Sequence, residues 1–520
     1  MPNRSAPAAD PQHHPRSPPQ HPPQHPTRGS RRQRRGLRGY RSGVQGSSSA
    51  AAGATTSATT TVDVVDRLRR DLPPEVVLTD PDVVATYRQD EAEWAEHGTP
   101  AAVVRARTAA DVQATVRACI VTGTPLVPRG AGTGLSGGAN ALDGCVVLTT
   151  ERMTAVRQID AVERLAVVEP GVVNDDLRAA VAEHGLWYPP DPASSPWSTI
   201  GGNAATNAGG LCCVKYGVTR DYVLALEVVT GTGELVRLGR RTAKGVAGYD
   251  LVGLMVGSEG TLGVITEITV RLRPQRAPQH TVAGYFDSVV DAGRAVALVG
   301  ATDVVPSALE LIDRHCLVAV DAWKHMGLSA DANVVLLART DAPGSIADAE
   351  ADTLLACFEE AGATWAARST DEVEAEALFE ARRLAYPALE RLGPVLTEDV
   401  CVPKAALPEM LERIERTAVE FDTLIANVAH AGDGNLHPLL ITPAGDEPAR
   451  ARAQLAFDRI IEHALELGGT VTGEHGVGLL KRDGLADELS PAVLAMHGAI
   501  KDALDPHRIL NPGKVVRLAG

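Results

Sequence analysis

From residue 98 onward, apolar and polar positions follow patterns that predict short strands and intervening helices. The stretch "AAVVRA" (101–106) is an apolar run of strand length. The next stretch, "TAADVQATVRACI" (108–120), has apolar residues at helical spacing behind a capping box of Thr108 and Asp111. "NDDLRAAVAEHG" (174–185) repeats this device, with Asn174 predicted as the N-cap and Gly185 as the end of the helix.

The second half of the chain contains longer helical patterns. Amphipathic helices are predicted in "DEVEAEALFEARRLAYPALERLG" (371–393) and "ARAQLAFDRIIEHALELGG" (451–469). Strands are predicted in "NVVLLAR" (333–339) and "TLIANVAH" (423–430). The pattern changes after Pro274, which is therefore the predicted domain boundary.

Composition limits the class of protein. A chain of 520 residues with 44% apolar residues is long enough for two or three globular domains. The net charge of -15 argues against nucleic acid as a partner. No apolar run reaches the length of a membrane span. Residues 1–60 hold nine Arg and one Asp and are rich in Pro, His and Ser, so we expect a disordered basic tail, with a targeting segment or a misassigned start as alternatives.

Cysteine usage points to a reducing compartment. The seven cysteines are odd in number and form no C-x-x-C pair, which argues against a disulfide framework or an iron–sulfur cluster. We expect buried thiols in a cytoplasmic protein.

A glycine-rich stretch, "PLVPRGAGTGLSGGAN" (125–140), contains a G-x-G-x-x-G pattern at Gly132, Gly134 and Gly137. In a dinucleotide-binding fold this pattern opens a helix. Here only "ANALDG" separates it from the apolar run "CVVLTT" (145–150), which is too short for a crossover helix. We therefore predict a strand, a glycine loop and a strand, with backbone N–H groups free to bind a phosphate; a flexible surface loop is the alternative.

Two further glycine-rich blocks follow, at 194–236 and 244–274, and then "HAGDGNLHP" (430–438), "GGTVTGEHGVG" (468–478) and "LNPGK" (510–514). In this order the motifs resemble the FAD-linked oxidases of the glycolate oxidase and D-lactate dehydrogenase type. The flavin domain of these enzymes has the vanillyl-alcohol oxidase/p-cresol methylhydroxylase (PCMH) fold. The resemblance covers about residues 65 to 517.

The resemblance implies an α+β fold. It places an FAD-binding domain of two subdomains at 65–275 and a cap domain with an antiparallel sheet and helices at 276–470. Residues 471–520 are expected to return to the flavin domain.

The resemblance also implies which residues bind FAD. The loop from Pro128 would wrap the pyrophosphate, and the later glycine blocks would line the other side and the adenine end. Because the loop between Pro128 and Asn140 has neither His nor Cys, we expect non-covalent FAD. The expected cofactor-binding residues are Pro128, Arg129, Gly130, Ala131, Gly132, Thr133, Gly134, Leu135, Ser136, Thr199, Gly201, Gly202, Asn203, Asn207, Gly209, Gly263, Ile265 and Asn511.

Two histidines flank a tight turn in "HAGDGNLHP". Apolar runs on both sides of Gly-Asp-Gly-Asn predict a β-hairpin that brings His430 and His437 together. The resemblance adds Glu474 as the matching carboxylate, and two imidazoles with one carboxylate suit a divalent metal, with zinc expected and manganese or iron as alternatives. A hydrogen-bonded structural pair is the other interpretation, and Asp433 and Asn435 would be turn residues or partners of the imidazoles.

The expected chemistry is the oxidation of a small D-2-hydroxyacid, D-lactate or glycolate, to the 2-oxoacid. The reaction needs a base for the hydroxyl proton, and His475 is the candidate. A cation must bind the substrate carboxylate, and the resemblance assigns Arg382 rather than its neighbour Arg383. For both sites, residues with only structural or solvated roles are the alternatives.

A position that bears on substrate choice follows from the same resemblance. Relatives that oxidise D-2-hydroxyglutarate usually have a lysine where this chain has Thr397, beside Glu398. Lys404, beyond the next proline, is the nearest alternative cation, and Glu398 would add a like charge. We therefore expect monocarboxylates to be preferred.

Several alternatives and partners stay open from the sequence. The alternatives are a D-2-hydroxyglutarate dehydrogenase, an alkyl-dihydroxyacetone-phosphate synthase-like flavoenzyme and a nucleotide-binding zinc hydrolase. The electrons would pass to an external acceptor, namely a quinone, an electron-transfer flavoprotein or a partner subunit. A peripheral membrane contact and a homodimer are both compatible with the sequence.

Overall fold

The structure is a computed structural model and describes residues 63–330, 332–369 and 372–517. The basic tail predicted at 1–60 lies outside these residues. All of the described residues belong to one compact unit, Thr60–Gly520.

The elements of the first half are short, as the sequence patterns predicted. Its α-helices are α1 (Val64–Asp71), α2 (Pro81–Ala85), α3 (Ala109–Thr122), α4 (Asn174–Ala182), α5 (Ile200–Thr206), α6 (Cys213–Tyr216) and α7 (Leu251–Met255). Its strands are β1 (Val77–Leu78), β2 (Ala102–Arg105), β3 (Leu126–Arg129), β4 (Val146–Thr149), β5 (Val156–Asp160), β6 (Leu165–Val168), β7 (Leu186–Trp187), β8 (Val223–Thr230), β9 (Leu235–Gly239), β10 (Gly263–Arg271) and β11 (Arg273–Pro274).

These strands form two main sheets with separate hydrophobic cores. The first has the order β1-β2-β4-β3, in which β2 and β3 run parallel to β4. The second has the order β5-β6-β10-β8-β9 and is antiparallel. Helix α3 packs on the first sheet, and the Thr108 hydroxyl accepts the N–H of Asp111 as the predicted cap. The other half of the predicted capping box is wrong, because the Asp111 carboxylate accepts the N–H of Arg107 and not that of Thr108.

The glycine-rich stretch connects β3 to β4 without a helix, which confirms the strand–loop–strand prediction. Gly132 and Gly137 have φ of +83° and +77°, a left-handed region in which a side chain would be strained. The loop therefore depends on glycine for its course as well as for access to its backbone.

The predicted N-cap role of Asn174 is wrong. Asn174 is the first helical residue of α4, and its side chain donates to the carbonyl of Pro190. The first two backbone N–H groups of the helix, those of Asn174 and Asp175, donate instead to the loop carbonyls of Ser198 and Ser195. Helix α4 ends at Ala182, and Gly185 follows with φ +68°.

The second half contains longer helices around one large sheet. Its α-helices are α8 (Val289–Gly300), α9 (Arg314–Lys324), α10 (Ser345–Glu360), α11 (Glu372–Glu390), α12 (Leu407–Glu420), α13 (Glu447–Glu466), α14 (Arg482–Glu488) and α15 (Pro491–Leu504). Its strands are β12 (His280–Phe286), β13 (Ala308–Asp313), β14 (Val334–Thr340), β15 (Trp365–Arg368), β16 (Val395–Thr397), β17 (Val400–Cys401), β18 (Leu424–His430) and β19 (Asn435–Ile441).

The large sheet has the order β15-β12-β14-β13-β18-β19-β16, with β17 also paired to β19, and its pairings are antiparallel. Apolar clusters pack on both faces, with helices α8, α10, α12 and α13 on one side and α9 and α11 on the other. The fold is thus α+β, as the sequence predicted. No helix in the described part of the chain is long and apolar enough to cross a membrane.

The segment after α15 packs against the glycine loop. Leu126 on β3 exchanges backbone hydrogen bonds with Ile509 and Asn511, each 2.7 Å long. The Asn511 side-chain amide donates to the carbonyls of Gly138 and Glu259. Residues far apart in sequence therefore hold one end of this loop.

The expectation that all seven cysteines are buried is only partly correct. Five are buried, whereas Cys213 and Cys401 are partly exposed.

Candidate active site

A cavity of about 560 Å³ lies where the glycine loop, helix α5 and strand β10 meet helix α11 and the β18–β19 hairpin. Its walls contain 16 of the 18 residues expected to bind the cofactor. They are Pro128, Arg129, Gly130, Ala131, Gly132, Thr133, Gly134, Leu135, Ser136, Thr199, Gly201, Gly202, Asn203, Gly209, Gly263 and Ile265.

The other two expected cofactor residues do not line the cavity. Asn207 ends helix α5 in a left-handed conformation, and its side-chain oxygen accepts the N–H of Arg220. Asn511 is buried behind the loop, where it binds the carbonyls of Gly138 and Glu259. Asn207 therefore shapes the turn, and Asn511 supports the wall from outside.

The cavity walls fit the FAD that the resemblance implies. Asn203 Nδ2 and Ser198 Oγ are buried at the wall without a hydrogen-bond partner. Such groups are costly unless a ligand satisfies them. At Gly130 an added Cβ would come within 2.7 Å of Thr199 Oγ1, so glycine there lets the loop approach α5 closely.

A buried carboxylate, that of Glu259, joins the glycine-rich wall to the "GEHGVG" segment. Its two oxygens accept the N–H groups of Val477 (2.7 Å) and Gly478 (2.9 Å). Burial raises the pKa of Glu259 to about 7 despite these two donors. No motif in the sequence predicted a role for this residue.

The hairpin prediction is confirmed, and it places the two histidines on one face of the sheet. His430 pairs with Asn435, and His437 pairs with Val428, two residues before His430. Their Nε2 atoms lie 3.1 and 3.2 Å from the same oxygen of Glu474, Oε1. All three side chains line the cavity, and their ligand atoms lie within 4.8 Å of one another.

The electrostatics of this cluster suit a divalent cation. Burial alone would lower the pKa of His430, but Glu310 and Glu474 at its two nitrogens raise it well above the usual value. Burial likewise opposes ionisation of Glu474, yet His430 and His437 hold its pKa well below the usual value. The carboxylates thus draw positive charge to this point, and two imidazole nitrogens and one oxygen converge there.

A second buried carboxylate, Asp399, orders the loop that contains Glu474 and His475. Its Oδ2 accepts the N–H groups of Gly473, Glu474 and His475, the last at 2.8 Å. Burial opposes its charge, but Lys481 and nearby histidines hold the pKa of Asp399 well below its usual range. Sequence reasoning missed this residue; an acidic pair, Glu398 and Asp399, inside an apolar run was the available signal.

His475, the candidate base, stacks on His437 with ring centroids 4.8 Å apart and an angle of 11°. Its Nε2 lies 3.8 Å from Glu474 Oε1, and the side chain lines the cavity. Burial lowers the pKa of His475 to about 4, against the pull of Asp399. The imidazole is therefore neutral at physiological pH and can accept a proton.

The two neighbouring arginines differ in burial, although both line the cavity. The Arg382 side chain is 10% exposed, and its Nε lies 3.0 Å from Glu310 Oε2. The Arg383 side chain is 46% exposed and pairs with Glu376 at 2.5 Å. Only Arg382 is held inside the protein.

The residues around Thr397 differ in part from the expectation about substrate choice. Thr397 is buried and lines the cavity beside Tyr386. The expectation that Glu398 places a like charge in the cavity is wrong, because Glu398 pairs with Lys481 at 2.9 Å and does not line the cavity. Lys404 lies instead beside Gly300 of α8. The acidic residues that do line the cavity near α11 are Glu91 and Glu390.

Comparisons with known proteins agree with these features. Residues 276–515 match the family model "FAD linked oxidases, C-terminal domain", and residues 100–239 match "FAD binding domain". Glycolate oxidase subunit GlcD of Bacillus subtilis (strain 168) is 41% identical over 417 residues, which span 80% of this chain and 89% of that protein.

D-lactate dehydrogenase of Anaerostipes hadrus is 34% identical over 472 residues, covering 88% of this chain and 97% of that protein. The solved structure of p-cresol methylhydroxylase with substrate bound superposes with a TM-score of 0.72 at 19% identity. That match covers 87% of this chain and 96% of the other. It supports the PCMH-type fold.

Proposed function

The chain belongs to the FAD-linked oxidase family of glycolate oxidase subunit GlcD and D-lactate dehydrogenase, and we propose that it oxidises D-lactate or glycolate to the 2-oxoacid. In this proposal FAD is bound non-covalently. A divalent metal ion, zinc in the first instance, is held by His430, His437 and Glu474.

The observation that supports the proposal best is convergence on one cavity. A glycine-lined wall with unpaired polar groups faces a cluster of two histidines and a carboxylate, with a neutral imidazole and a buried arginine beside it. Together these groups provide a wall for the flavin, a base for the hydroxyl proton, a cation for the substrate carboxylate and a place for a divalent ion that would assist the reaction.

Arg382 would bind the substrate carboxylate, because its guanidinium is a planar fork that matches a carboxylate. His475 would accept the hydroxyl proton at Nε2, the ring nitrogen 3.8 Å from Glu474 Oε1. A divalent ion held by His430, His437 and Glu474 would lower the pKa of a nearby hydroxyl. FAD supplies the acceptor for the hydride that leaves the substrate carbon, and a carbonyl remains.

Non-covalent binding is supported by the composition of the wall. Among the described residues that line the cavity there is no cysteine, and the histidines are His430, His437 and His475. Each of these has another role in the proposal. The reduced flavin would then pass its electrons to an external acceptor, such as a quinone, an electron-transfer flavoprotein or a partner subunit.

The experiment is anaerobic mixing of the purified holoprotein with a panel of D- and L-2-hydroxyacids while flavin absorbance is followed. We expect D-lactate and glycolate to bleach the flavin, and His475→Ala to slow the bleaching far more than it changes the substrate concentration required. A flavin that no 2-hydroxyacid reduces would refute the proposal.

A further inference from the structure

Glu310, on strand β13, connects two parts of the site that are distant in sequence. Its side chain has no exposed surface and contacts His430 on β18 and Arg382 on α11. Glu310 is absent from the cavity wall. Its direct contacts toward a ligand in the cavity are therefore made through these two neighbours.

The contact with His430 determines which ring nitrogen can bind a cation. Nδ1 lies 2.8 and 3.0 Å from the two oxygens of Glu310, so the N–H at Nδ1 donates to this carboxylate. With that proton fixed, loss of the other proton leaves the lone pair on Nε2. Nε2 is the atom that points to Glu474 Oε1, where His437 Nε2 also converges.

The contact with Arg382 fixes a different group. Arg382 Nε lies 3.0 Å from Glu310 Oε2. The two groups form a buried ion pair in which the Nε–H is not aligned as a hydrogen bond. Because a guanidinium is planar, anchoring its Nε side by charge restricts the positions of all of its N–H donors. Arg382 lines the cavity, and its donors are thereby oriented before a carboxylate binds.

We propose that Glu310 is a positioning residue that sets both the cation-binding tautomer of His430 and the orientation of Arg382. One carboxylate then aligns the group that binds the hydroxyl end of the substrate with the group that binds its carboxylate end. This inference rests on the proposed function, because that function gives His430 and Arg382 their roles.

The test uses Glu310→Gln, with Asp313→Asn as the matched control. Asp313 lies on the same strand and is also buried, and its oxygens accept the N–H groups of Cys316 and Asn427. It does not line the cavity. Loss of this carboxylate therefore reports the general effect of removing a buried charge from β13.

The first readout is zinc affinity, measured by competition with a chromophoric chelator. Loss of a carboxylate behind a metal-binding histidine typically weakens affinity about 10- to 100-fold, and we expect this range for Glu310→Gln and no change for Asp313→Asn. Glu310→Asp, which keeps the charge on a shorter side chain, should fall between Glu310→Gln and the wild type. It provides the same comparison if the glutamine variant does not fold.

The second readout is a double-mutant cycle on the KM for D-lactate at saturating zinc. Glu310→Gln should raise KM in the wild-type background and give no further rise when Arg382 is already alanine. Wild-type zinc affinity in a folded Glu310→Gln protein, or an equal loss in Asp313→Asn, would overturn the positioning role. A wild type that binds no zinc or oxidises no hydroxyacid would instead refute the proposed function.

Discussion

Replacing Thr397 with lysine should change which hydroxyacids the enzyme accepts. Thr397 is 7% exposed in the cavity wall, and the acidic residues Glu91 and Glu390 line the same cavity. The described cations of the wall are Arg129, Arg382 and Arg383. Of these, Arg129 belongs to the glycine loop that is expected to bind FAD and donates to the Gln89 carbonyl, Arg383 is paired with Glu376, and we assign Arg382 to the first carboxylate. A second carboxylate on the substrate would therefore be desolvated without a dedicated partner.

The size of the change follows from the new interaction. A hydrogen bond to a charged group contributes about 1.5–3 kcal/mol, and each 1.36 kcal/mol is a factor of ten. Thr397→Lys should thus raise kcat/KM for D-2-hydroxyglutarate relative to D-lactate about 10- to 150-fold. Burial of the lysine favours the lower part of that range, because desolvation disfavours its charge.

The assay compares kcat/KM for both substrates in the wild type, Thr397→Lys and Thr397→Met. Methionine has a similar length but no charge, so it separates a change of shape from a change of electrostatics. An equal shift in the methionine variant would refute the electrostatic argument. A wild type that prefers D-2-hydroxyglutarate to both D-lactate and glycolate would refute the interpretation of Thr397 itself.

Three other predictions concern the cofactors and the buried acid. Removal of metal with a chelator should abolish turnover yet leave the flavin spectrum largely unchanged, because the proposed ligands lie on the substrate side; full activity in metal-free protein would contradict this. Acid precipitation should release all of the flavin into the supernatant, and yellow colour in the pellet would reveal a covalent bond. Burial raises the pKa of Glu259 from 4.5 to about 7, so its contribution to stability is complete below about pH 4.5 and lost as the pH rises through 7. In urea unfolding of the apoprotein, the free energy of unfolding of the wild type should fall by about 3 kcal/mol more than that of Glu259→Gln across this range. Parallel pH profiles of the two proteins would refute this prediction.

The histidine pair could be predicted from sequence because its geometry is local. Two apolar runs around Gly-Asp-Gly-Asn determine a hairpin, and strand alternation then puts His430 and His437 on one face. Glu310 could not be predicted in the same way. It is 120 residues from His430 in sequence, and only the pairing of β13 with β18 brings the two together. A single glutamate inside the apolar run "ALELI" was the one local sign.

Asn174 illustrates the same limit in the fold. Asn is a common N-cap, yet capping needs only an acceptor near the first N–H groups, and the carbonyls of Ser195 and Ser198 provide it. Those residues reach α4 through tertiary packing that no local pattern encodes. Helix α3 differs, because no loop carbonyl is seen to accept its first backbone N–H groups. The Thr108 side chain caps this helix, as predicted.

The contact of Asn511 with the glycine loop has a consequence for biosynthesis. Asn511 and Gly138, which its side chain holds, are 373 positions apart. A ribosome that adds about 5–20 residues per second needs about 20 to 75 s to cover that distance. The loop is therefore made early, but it obtains this support only after residue 511 has been synthesised. We therefore expect stable flavin binding to require a chain that includes Asn511, and a nascent chain that stalls before this residue should hold FAD less tightly.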